Sequence, residues 1–370
     1  MGSSAWHANT TPGRLFYENR LEQLYGGVPR SVCGGSSNVI GPAWVSGGLK
    51  TEVSLEELAN FVEQEKLPDF IINTTAFVDD GPGHHGARLA NTVFEFGALR
   101  IGSDGFGYES RRANPELFLE TTVTRAVAIS GAAVDTAIIS GPSQKTFSSA
   151  LNQDLGMYVD NYNVPPSRRT EHWVIPWPLY YGHYWLRDKN GTRIYLSDGG
   201  HSDNLAAYAA IRRLPETLII VDAEHDPNLQ LSGFRLLKRG LESEFGVELR
   251  VPELEALHES GISAYEISSP VFKGRVASFP IPMPDGSTRQ VEIGVRYIKL
   301  SIDETAIEKY PHAVQEYWGD HERAFPQEST VDQLYSPRQF QAYRDLGHWT
   351  VCNNYETNGT GSGRCPKLRK

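Results

Sequence analysis

Hydrophobic and polar positions alternate along the chain in patterns that predict successive helices and strands. Behind a Ser-x-x-Glu capping box at Ser54, apolar residues recur at helical spacing until Pro68 stops the helix. Apolar runs predict a core strand at 70–72 and a second strand at 91–100. Residues 115–133 are apolar at helical spacing and end in small side chains, so we expect one helix that permits close backbone approach.

The most informative stretch is 192–227, where a strand, a tight turn, a helix and a second strand follow one another. The first strand, at 194–196, ends just before Asp198. Gly199 and Gly200 are expected to let the backbone turn through angles that a Cβ forbids. The turn therefore presents the Asp198 carboxylate outward.

A helix and another strand are predicted after this turn. Helical spacing continues from Asp203, a predicted N-cap, to the arginines at 212–213, which indicates a helix of about three turns. The unbroken apolar run at 218–221 is typical of a strand covered on both faces in a parallel sheet. Two strands joined by a helix form a right-handed crossover, and ligands collect at the carboxyl ends of such strands. Asp198 and Asp222 lie at those ends.

The C-terminal part carries further helix and hairpin signals. A helical pattern at 234–241 closes at Gly246, which predicts a C-terminal cap. Two strands within 277–300 flank a Pro-Asp-Gly turn and form a predicted β-hairpin. A last helix begins at Ser336 and is expected to end at Gly347.

Together these elements predict an α/β fold with one main domain. Residues 1–50 are rich in Gly, Ser and Pro and predict an irregular lead-in with one short helical pattern. We assign 51–350 to one partial α/β domain and 351–370 to a flexible tail.

Composition and charge narrow the function classes. The 370 residues carry a formal net charge of −10, which argues against nucleic acid as a partner, because phosphate binding needs a basic face. The chain has no export signal and no apolar run long enough to span a membrane, so a cytoplasmic location with at most peripheral membrane contact is expected. Cys33, Cys352 and Cys365 form no Cys-x-x-Cys pair. They therefore predict neither a zinc site nor a disulfide framework, and favour a reducing compartment.

Seven segments of the chain share the sequence pattern of one known family. They are Ile71–Thr75, Phe94–Phe96 with Gly102–Ser103, Ala128–Ala133, Ser197–Gly200, Phe245–Glu248, Tyr297–Lys299, and Phe325–Thr330 followed by Asp332–Gln333. Ser197–Gly200, followed by a predicted helix, resembles the Asp-Gly-Gly element of patatin-like phospholipases, and the other segments resemble the large bacterial members of that family. The resemblance runs in order from about Leu55 to Gly347, so the chain is similar to the C-terminal half of the patatin-like domain.

The resemblance implies a fold, an activity and a catalytic base. The implied fold is a three-layer α/β/α domain around a central, mostly parallel sheet, with a β-hairpin and a C-terminal helix as extensions. The implied activity is that of a serine-type lipid acyl hydrolase, phospholipase A or lysophospholipase in type, acting on lipid or acyl-ester substrates without a metal or other cofactor. In that family a Ser-Asp dyad performs the reaction, and Asp198 matches the aspartate that accepts the serine proton.

The nucleophile is the part of the family pattern that this chain lacks in good form. Patatin-like enzymes carry a glycine-rich oxyanion loop and a Gly-x-Ser-x-Gly elbow upstream of the matched segments. Ser46 lies in the nearest imitation of that elbow, but Trp44 stands where the first glycine belongs, and its Cβ is expected to clash in the strained turn. Three alternatives remain: Ser46 acts, an upstream chain or segment supplies the serine, or the protein is inactive.

Two segments are candidates for the wall of a substrate channel. In the family, the helix that ends in the small-residue stretch runs beside the active site, so Ser130 and its neighbours would leave room for an acyl chain. An aromatic segment at 171–187 contributes Trp177, Tyr181 and Trp185, which suit a lipid channel or a membrane interface. Ordinary core packing is the alternative for both segments.

Two polar clusters have metal-ligand chemistry but lack a suitable arrangement. Asp222, Glu224, His225 and Asp226 leave a predicted strand in different directions, so loop capping is predicted for them. The two histidines at 84–85 have no third ligand at useful spacing and predict a surface turn.

Two other function classes remain open. One is a catalytically inactive patatin-like protein that binds lipid or acts as a scaffold. The other is an unrelated α/β protein in which Asp198 only caps a turn.

Overall fold

A computed structural model describes residues 14, 16–18, 21, 53–66, 68–78, 90–132, 156–165, 167, 192–283, 286–321, 324–329 and 335–354. Contacts between residues group the chain into two compact units, Met1–Ala209 and Ala210–Lys370. The boundary falls inside the stretch that the sequence assigns to one domain, and that assignment stays a prediction.

The first unit contains a six-stranded sheet and several short helices. The elements before the boundary are α1 (Leu55–Glu65), β1 (Ile71–Val78), β2 (Ala90–Gly97), β3 (Arg100–Ser103), β4 (Gly107–Ser110), α2 (Pro115–Glu120), α3 (Val123–Ser130), β5 (Met157–Asp160), β6 (Arg193–Ser197) and α4 (Gly200–Asp203), and the short helix α5 (Tyr208–Ile211) spans the boundary. The strands follow the order β4-β3-β2-β1-β6-β5.

This sheet is antiparallel at every pairing between its described strands. The mostly parallel central sheet that the resemblance implies is therefore not what these strands form. Short connections explain part of the difference. Only residues 98–99 separate β2 from β3, and only 104–106 separate β3 from β4, whereas a parallel pair needs a crossover of about a dozen residues.

The two faces of the sheet carry different contacts. Ile72 and Ala76 of β1 are buried in one hydrophobic core with side chains from α1, α2 and α3. Because side chains alternate along a strand, Asn73 and Thr75 point to the opposite face, where they hydrogen-bond to 199–203. Helical segments thus pack on both faces of β1, and the unit is mixed α/β.

Two predicted helices are broken in the structure. The helix expected at 115–133 is divided into α2 and α3, because Thr122 begins a new helix by accepting the Arg125 amide hydrogen at 3.1 Å. The helix expected at 203–213 is replaced by α4 and α5, with Ala206 between them in a left-handed conformation at φ 51°. Short polar side chains at these breaks bond to backbone amides and so compete with a continuous helix.

The second unit contains a four-stranded sheet and several helices. Its elements are β7 (Thr217–Asp222), α6 (Ser232–Phe245), β8 (Leu249–Arg250), α7 (Pro252–Ser260), a 3-10 turn (Ala264–Glu266), β9 (Val271–Pro282), β10 (Thr288–Lys299), a 3-10 helix (Glu304–Lys309), α8 (His312–Asp320) and α9 (Pro337–Asn354). The strand order is β7-β10-β9-β8, with β7 parallel to β10 and the other pairs antiparallel.

The predicted crossover between the strands at 194–196 and 218–221 is wrong. β6 belongs to the first sheet and β7 to the second. Among the described strands β7 is also an edge strand, and Ile219 and Val221 on one of its faces are 43% and 48% exposed. The strand is therefore not covered on both faces. An unbroken apolar run does not record which sheet a strand joins, because distant residues decide the pairing.

Local signals at the ends of elements are mostly confirmed. The Ser54 side chain accepts from the Glu57 amide while the Glu57 carboxylate accepts from the Ser54 amide, which is the predicted capping box. Gly246 caps α6 at φ 64°, and β9 pairs with β10 as the predicted hairpin. The last helix, however, continues past Gly347 to Asn354. A glycine inside a helix costs only about 1 kcal/mol relative to alanine and does not by itself stop the helix.

Two further features bear on cellular location. Cys352, on α9, is disulfide-bonded, whereas the cysteine pattern predicts no disulfide framework. Disulfides persist mainly in oxidising compartments, so the cytoplasmic location stays a prediction. Of the helices in the described part of the chain, none is both long and apolar enough to cross a membrane.

Candidate active site

Asp198 is the first residue after the end of β6. Ser197, the last residue of that strand, is fully buried opposite Thr75, and its hydroxyl donates to the Ala132 carbonyl at 3.3 Å. The Asp198 carboxylate belongs to a half-buried residue and accepts a hydrogen bond from the Gly200 amide at 2.6 Å. The strand end and the turn therefore hold this carboxylate in place while leaving the residue partly open to solvent.

The two glycines after Asp198 lie close to neighbouring atoms but do not have unusual backbone angles. Gly199 has φ −60° and ψ −29°, which any residue adopts, and Gly200 begins α4. A Cβ on Gly199 would lie 2.6 Å from the Asn73 carbonyl oxygen. A Cβ on Gly200 would lie 2.5 Å from the Asn204 side-chain oxygen. The expectation of forbidden backbone angles is wrong. Glycine is needed at 199, where the close atom belongs to the backbone of β1, whereas at 200 the close atom is the end of the Asn204 side chain, which can shift.

Gly199→Ala is expected to destabilise the protein by about 1–3 kcal/mol, the typical cost of an overpacked position, because its Cβ meets the backbone of β1. Gly240→Ala is the matched control, since Gly240 lies inside α6 with nothing within 4 Å of an added Cβ. That change is expected to stabilise the protein by up to about 1 kcal/mol. Urea unfolding measures both effects. A Gly199→Ala protein as stable as wild type would show that the turn does not pack this closely against β1.

Three polar side chains fix the turn against β1. The Asn73 side-chain amide donates to the Asp203 carbonyl at 2.8 Å. The Thr75 hydroxyl lies 2.8 Å from the Ser202 hydroxyl and 3.3 Å from the Gly199 carbonyl, to which it donates. The sequence of this strand resembles the family pattern, but no role was predicted from it for these side chains. The available signal was a run of polar residues inside an otherwise apolar strand.

Ser130 lies beside the Asp198 turn. It is the last residue of α3, and its carbonyl accepts the Gly199 amide hydrogen at 3.0 Å. A Cβ on the next residue, Gly131, would come within 2.9 Å of the Tyr17 hydroxyl. Close packing therefore occupies this part of the small-residue stretch, and the role of Ser130 in a substrate channel stays a prediction.

Asp203 is a buried carboxylate that follows the turn. Its two oxygens accept hydrogen bonds from the Leu205 amide at 3.2 Å and the Tyr208 amide at 2.7 Å, so it caps the start of α5. Burial raises the pKa of Asp203 from 3.8 to about 7, although hydrogen bonds from the Leu205 and Ala207 amides act in the opposite direction. Asp203 is the last residue of α4, so the prediction that it is the N-cap of a helix reaching 213 is wrong, although its carboxylate still binds backbone amides up to the start of α5.

Protein stability is expected to fall with rising pH because of Asp203. The folded protein keeps this carboxyl protonated up to a pH of about 7, whereas the unfolded chain releases the proton near pH 3.8. In that window the folded state binds more protons, so the free energy of unfolding decreases as pH rises. Asp203→Asn removes the titration. Urea unfolding across the window is expected to show wild type losing stability relative to the variant, and a difference that does not change with pH would contradict the raised pKa.

Two more side chains border the turn. The His201 ring of α4 lies 5.8 Å from the Phe77 ring of β1. Glu95 of β2 is fully buried, pairs with Asn73 across the strands and lies 3.7 Å from the Arg100 guanidinium. Because directly opposite residues share a face of the sheet, Glu95 lies on the face that carries the turn. This second carboxylate near the turn was not predicted from the sequence.

Several predicted site residues lie outside the described residues. They are the candidate nucleophile Ser46, the aromatic residues Trp177, Tyr181 and Trp185, and the histidines His84 and His85. Their roles stay predictions. From the predicted set, the structure brings together Asp198, the two glycines and Ser130.

The acidic cluster at 222–226 lies in the second unit and caps loops. Asp222 accepts a hydrogen bond from the Glu224 amide at 2.9 Å, and Asp226 accepts one from the Gln230 amide at 2.6 Å. The prediction of loop capping is confirmed for these carboxylates. In the ranges that the structure describes, no three His, Cys, Asp or Glu side chains are grouped so as to hold a metal ion.

Lys299 joins this cluster in a buried network that the sequence analysis missed. Its ammonium group lies 3.1 Å from both carboxylate oxygens of Asp222 and 3.5 Å from Asp226. The Tyr297 hydroxyl donates to Asp222 at 2.5 Å. Burial and the Asp222 carboxylate raise the pKa of Tyr297 far above its ordinary value, so the hydroxyl keeps its proton. A lysine at the end of an apolar strand was the available signal.

No family model, curated protein or solved structure matches the chain. The resemblance to patatin-like phospholipases therefore rests on the sequence segments that carry it. The described residues add a mixed α/β fold and the positions around Asp198 of four of those segments, on β1, β2, α3 and β6.

Proposed function

We propose that the chain is a patatin-like lipid acyl hydrolase of the phospholipase A or lysophospholipase type, or the part of one that carries the aspartate, with Asp198 as the base of a Ser-Asp dyad. A serine hydroxyl attacks the ester carbonyl, Asp198 accepts the hydroxyl proton, and water then hydrolyses the acyl-enzyme. This chemistry requires no metal or other cofactor. In this proposal the described elements belong to a three-layer α/β/α domain.

The observation that carries the proposal is the convergence of distant segments on Asp198. Four of the segments that resemble the family lie on β1, β2, the end of α3 and the end of β6. β1 pairs with both β2 and β6, and the end of α3 accepts the Gly199 amide hydrogen. An aspartate fixed by several elements suits a general base, because a base must stay within hydrogen-bond reach of its partner hydroxyl.

The partner serine is proposed from the family's order of motifs, in which the nucleophile precedes the matched segments. It is Ser46 or a serine supplied by an upstream chain or segment. Ser130 and the aromatic residues Trp177, Tyr181 and Trp185 are proposed to line the acyl-chain channel.

Phospholipid hydrolysis distinguishes this proposal from its alternatives. The full-length protein is incubated with phosphatidylcholine vesicles, and released fatty acid and lysophospholipid are measured by mass spectrometry. Release of both products is expected. Binding to the vesicles without release would instead favour an inactive lipid-binding or scaffolding protein. The absence of both binding and release would favour an unrelated α/β protein in which Asp198 only caps a turn.

A further inference from the structure

A second candidate binding site lies in the second unit, in a cavity formed by α6, β8 and α7. We call it the α6–α7 pocket. Its volume is about 460 Å³, which falls within the range of roughly 300–1,000 Å³ that is typical of small-molecule sites. The pocket shares no residue with the Asp198 site. A ligand of this pocket is therefore independent of the hydrolase function that is proposed for Asp198.

The pocket combines an apolar floor with charged walls. Leu231 and Phe234 line it, and each is only 1% exposed. Because protein atoms already cover almost all of each side chain, the apolar contact that the floor offers to a ligand is small.

Four of the charged side chains in the walls neutralise one another. Lys238 lies 2.6 Å from Glu255 and 3.8 Å from Glu248. Arg250 lies 2.8 Å from Glu248, and its hydrogen bond lowers the pKa of that carboxyl, so Glu248 stays ionised. These pairs leave no surplus of positive charge for a polyanion such as a nucleotide.

Three further lining side chains have unused binding capacity. The side chains of Arg235 and Glu259 form no ion pair or hydrogen bond with any residue in the described part of the chain. His258 Nδ1 lies 2.7 Å from the Leu229 carbonyl oxygen, which accepts its hydrogen. In the neutral imidazole Nε2 is then left as a hydrogen-bond acceptor. The pocket therefore offers one guanidinium donor fork, one carboxylate and one acceptor nitrogen.

We propose that the α6–α7 pocket binds a small zwitterion, in which an ammonium group and a carboxylate or phosphate group lie a few atoms apart. The Arg235 guanidinium binds the anionic group, because its planar fork matches both carboxylate and phosphate. Glu259 and His258 Nε2 accept hydrogen bonds from the ammonium group. An apolar substituent on the ligand makes only a small contact with Leu231 and Phe234, so the charged groups supply most of the recognition.

Calorimetric titration of the full-length protein with small probes tests this proposal. L-leucine carries the carboxylate form of the zwitterion and phosphoethanolamine carries the phosphate form, so their relative affinities identify the anion. Saturable binding of at least one of them is expected. N-acetylleucine lacks the ammonium group and leucine amide lacks the anion, so both are expected to bind less tightly than leucine. No binding of either zwitterion at millimolar concentration, or equal binding of N-acetylleucine and leucine, would overturn the proposal.

Matched variants assign the binding to this pocket. Arg235→Gln and Glu259→Gln are each expected to raise the Kd by about tenfold, the loss of one hydrogen bond to a charged group. Arg239→Gln on α6 and Glu253→Gln on α7 are the controls, because those residues do not line the pocket. All four residues are exposed, so the variants are expected to fold. Equal effects of the lining and control substitutions would overturn the assignment.

Discussion

Replacing Asp198 with asparagine is expected to lower phospholipid hydrolysis by about 10²–10⁴-fold, the usual contribution of a general base. Asparagine keeps a side-chain oxygen that accepts the Gly200 amide hydrogen, so the turn is expected to keep its shape. The neutral amide, however, does not accept the proton of a serine hydroxyl. Initial rates at saturating substrate measure the loss as a decrease in kcat.

Asp320→Asn is the control for this experiment. Asp320 is an exposed carboxylate at the end of α8 that forms an ion pair with Arg338 at 2.8 Å, and its replacement is expected to leave hydrolysis unchanged. A folded Asp198→Asn protein that hydrolyses phospholipid at the wild-type rate would show that Asp198 is not the base.

Lys299→Met is expected to lower the free energy of unfolding by about 3–5 kcal/mol, the typical cost of removing one partner from a buried ion pair. Methionine has a similar length but carries no charge. The change therefore leaves Asp222 and Asp226 buried without their shared ammonium group. Both carboxylates also accept backbone amide hydrogens that hold the loop after β7, so the loss is expected to extend to that loop.

Arg338→Met removes an exposed ion pair and serves as the comparison for the buried one. Arg338 and Asp320 are 63% and 58% exposed, and exposed pairs contribute only about 0–1 kcal/mol. Urea unfolding of both variants measures the contrast. If Lys299→Met costs no more than Arg338→Met, the buried network is not held together by the lysine charge.

Element ends are largely predictable from the sequence because the interactions that form them are local. The capping box at Ser54 joins residues three positions apart, and the Gly246 cap requires only a left-handed backbone. Strand pairing is different, because it joins distant residues. Thr75 pairs with Ser197 across the first sheet, and no local pattern near either residue records that partner. The antiparallel sheet and the separation of β6 from β7 therefore follow only from the structure.

The candidate site was predictable to a similar extent. A β-favouring run that stops at two glycines places Asp198 at a strand end, and the structure places it there. The Thr75 hydroxyl of β1 and the Ser130 carbonyl of α3 bind the turn at Gly199. Both are far from Asp198 in the sequence, so these roles were not predicted. Lys299 was missed for the same reason, since it lies 77 positions from Asp222.

Labelling of the full-length protein with a fluorophosphonate, followed by mass spectrometry of the labelled peptide, tests most directly whether Asp198 activates a serine. One labelled serine is expected in the wild-type protein, with labelling strongly reduced in Asp198→Asn. Equal labelling of the wild type and Asp198→Asn would contradict the proposed role of Asp198, and a wild-type protein that takes up no label would contradict a nucleophile within this chain.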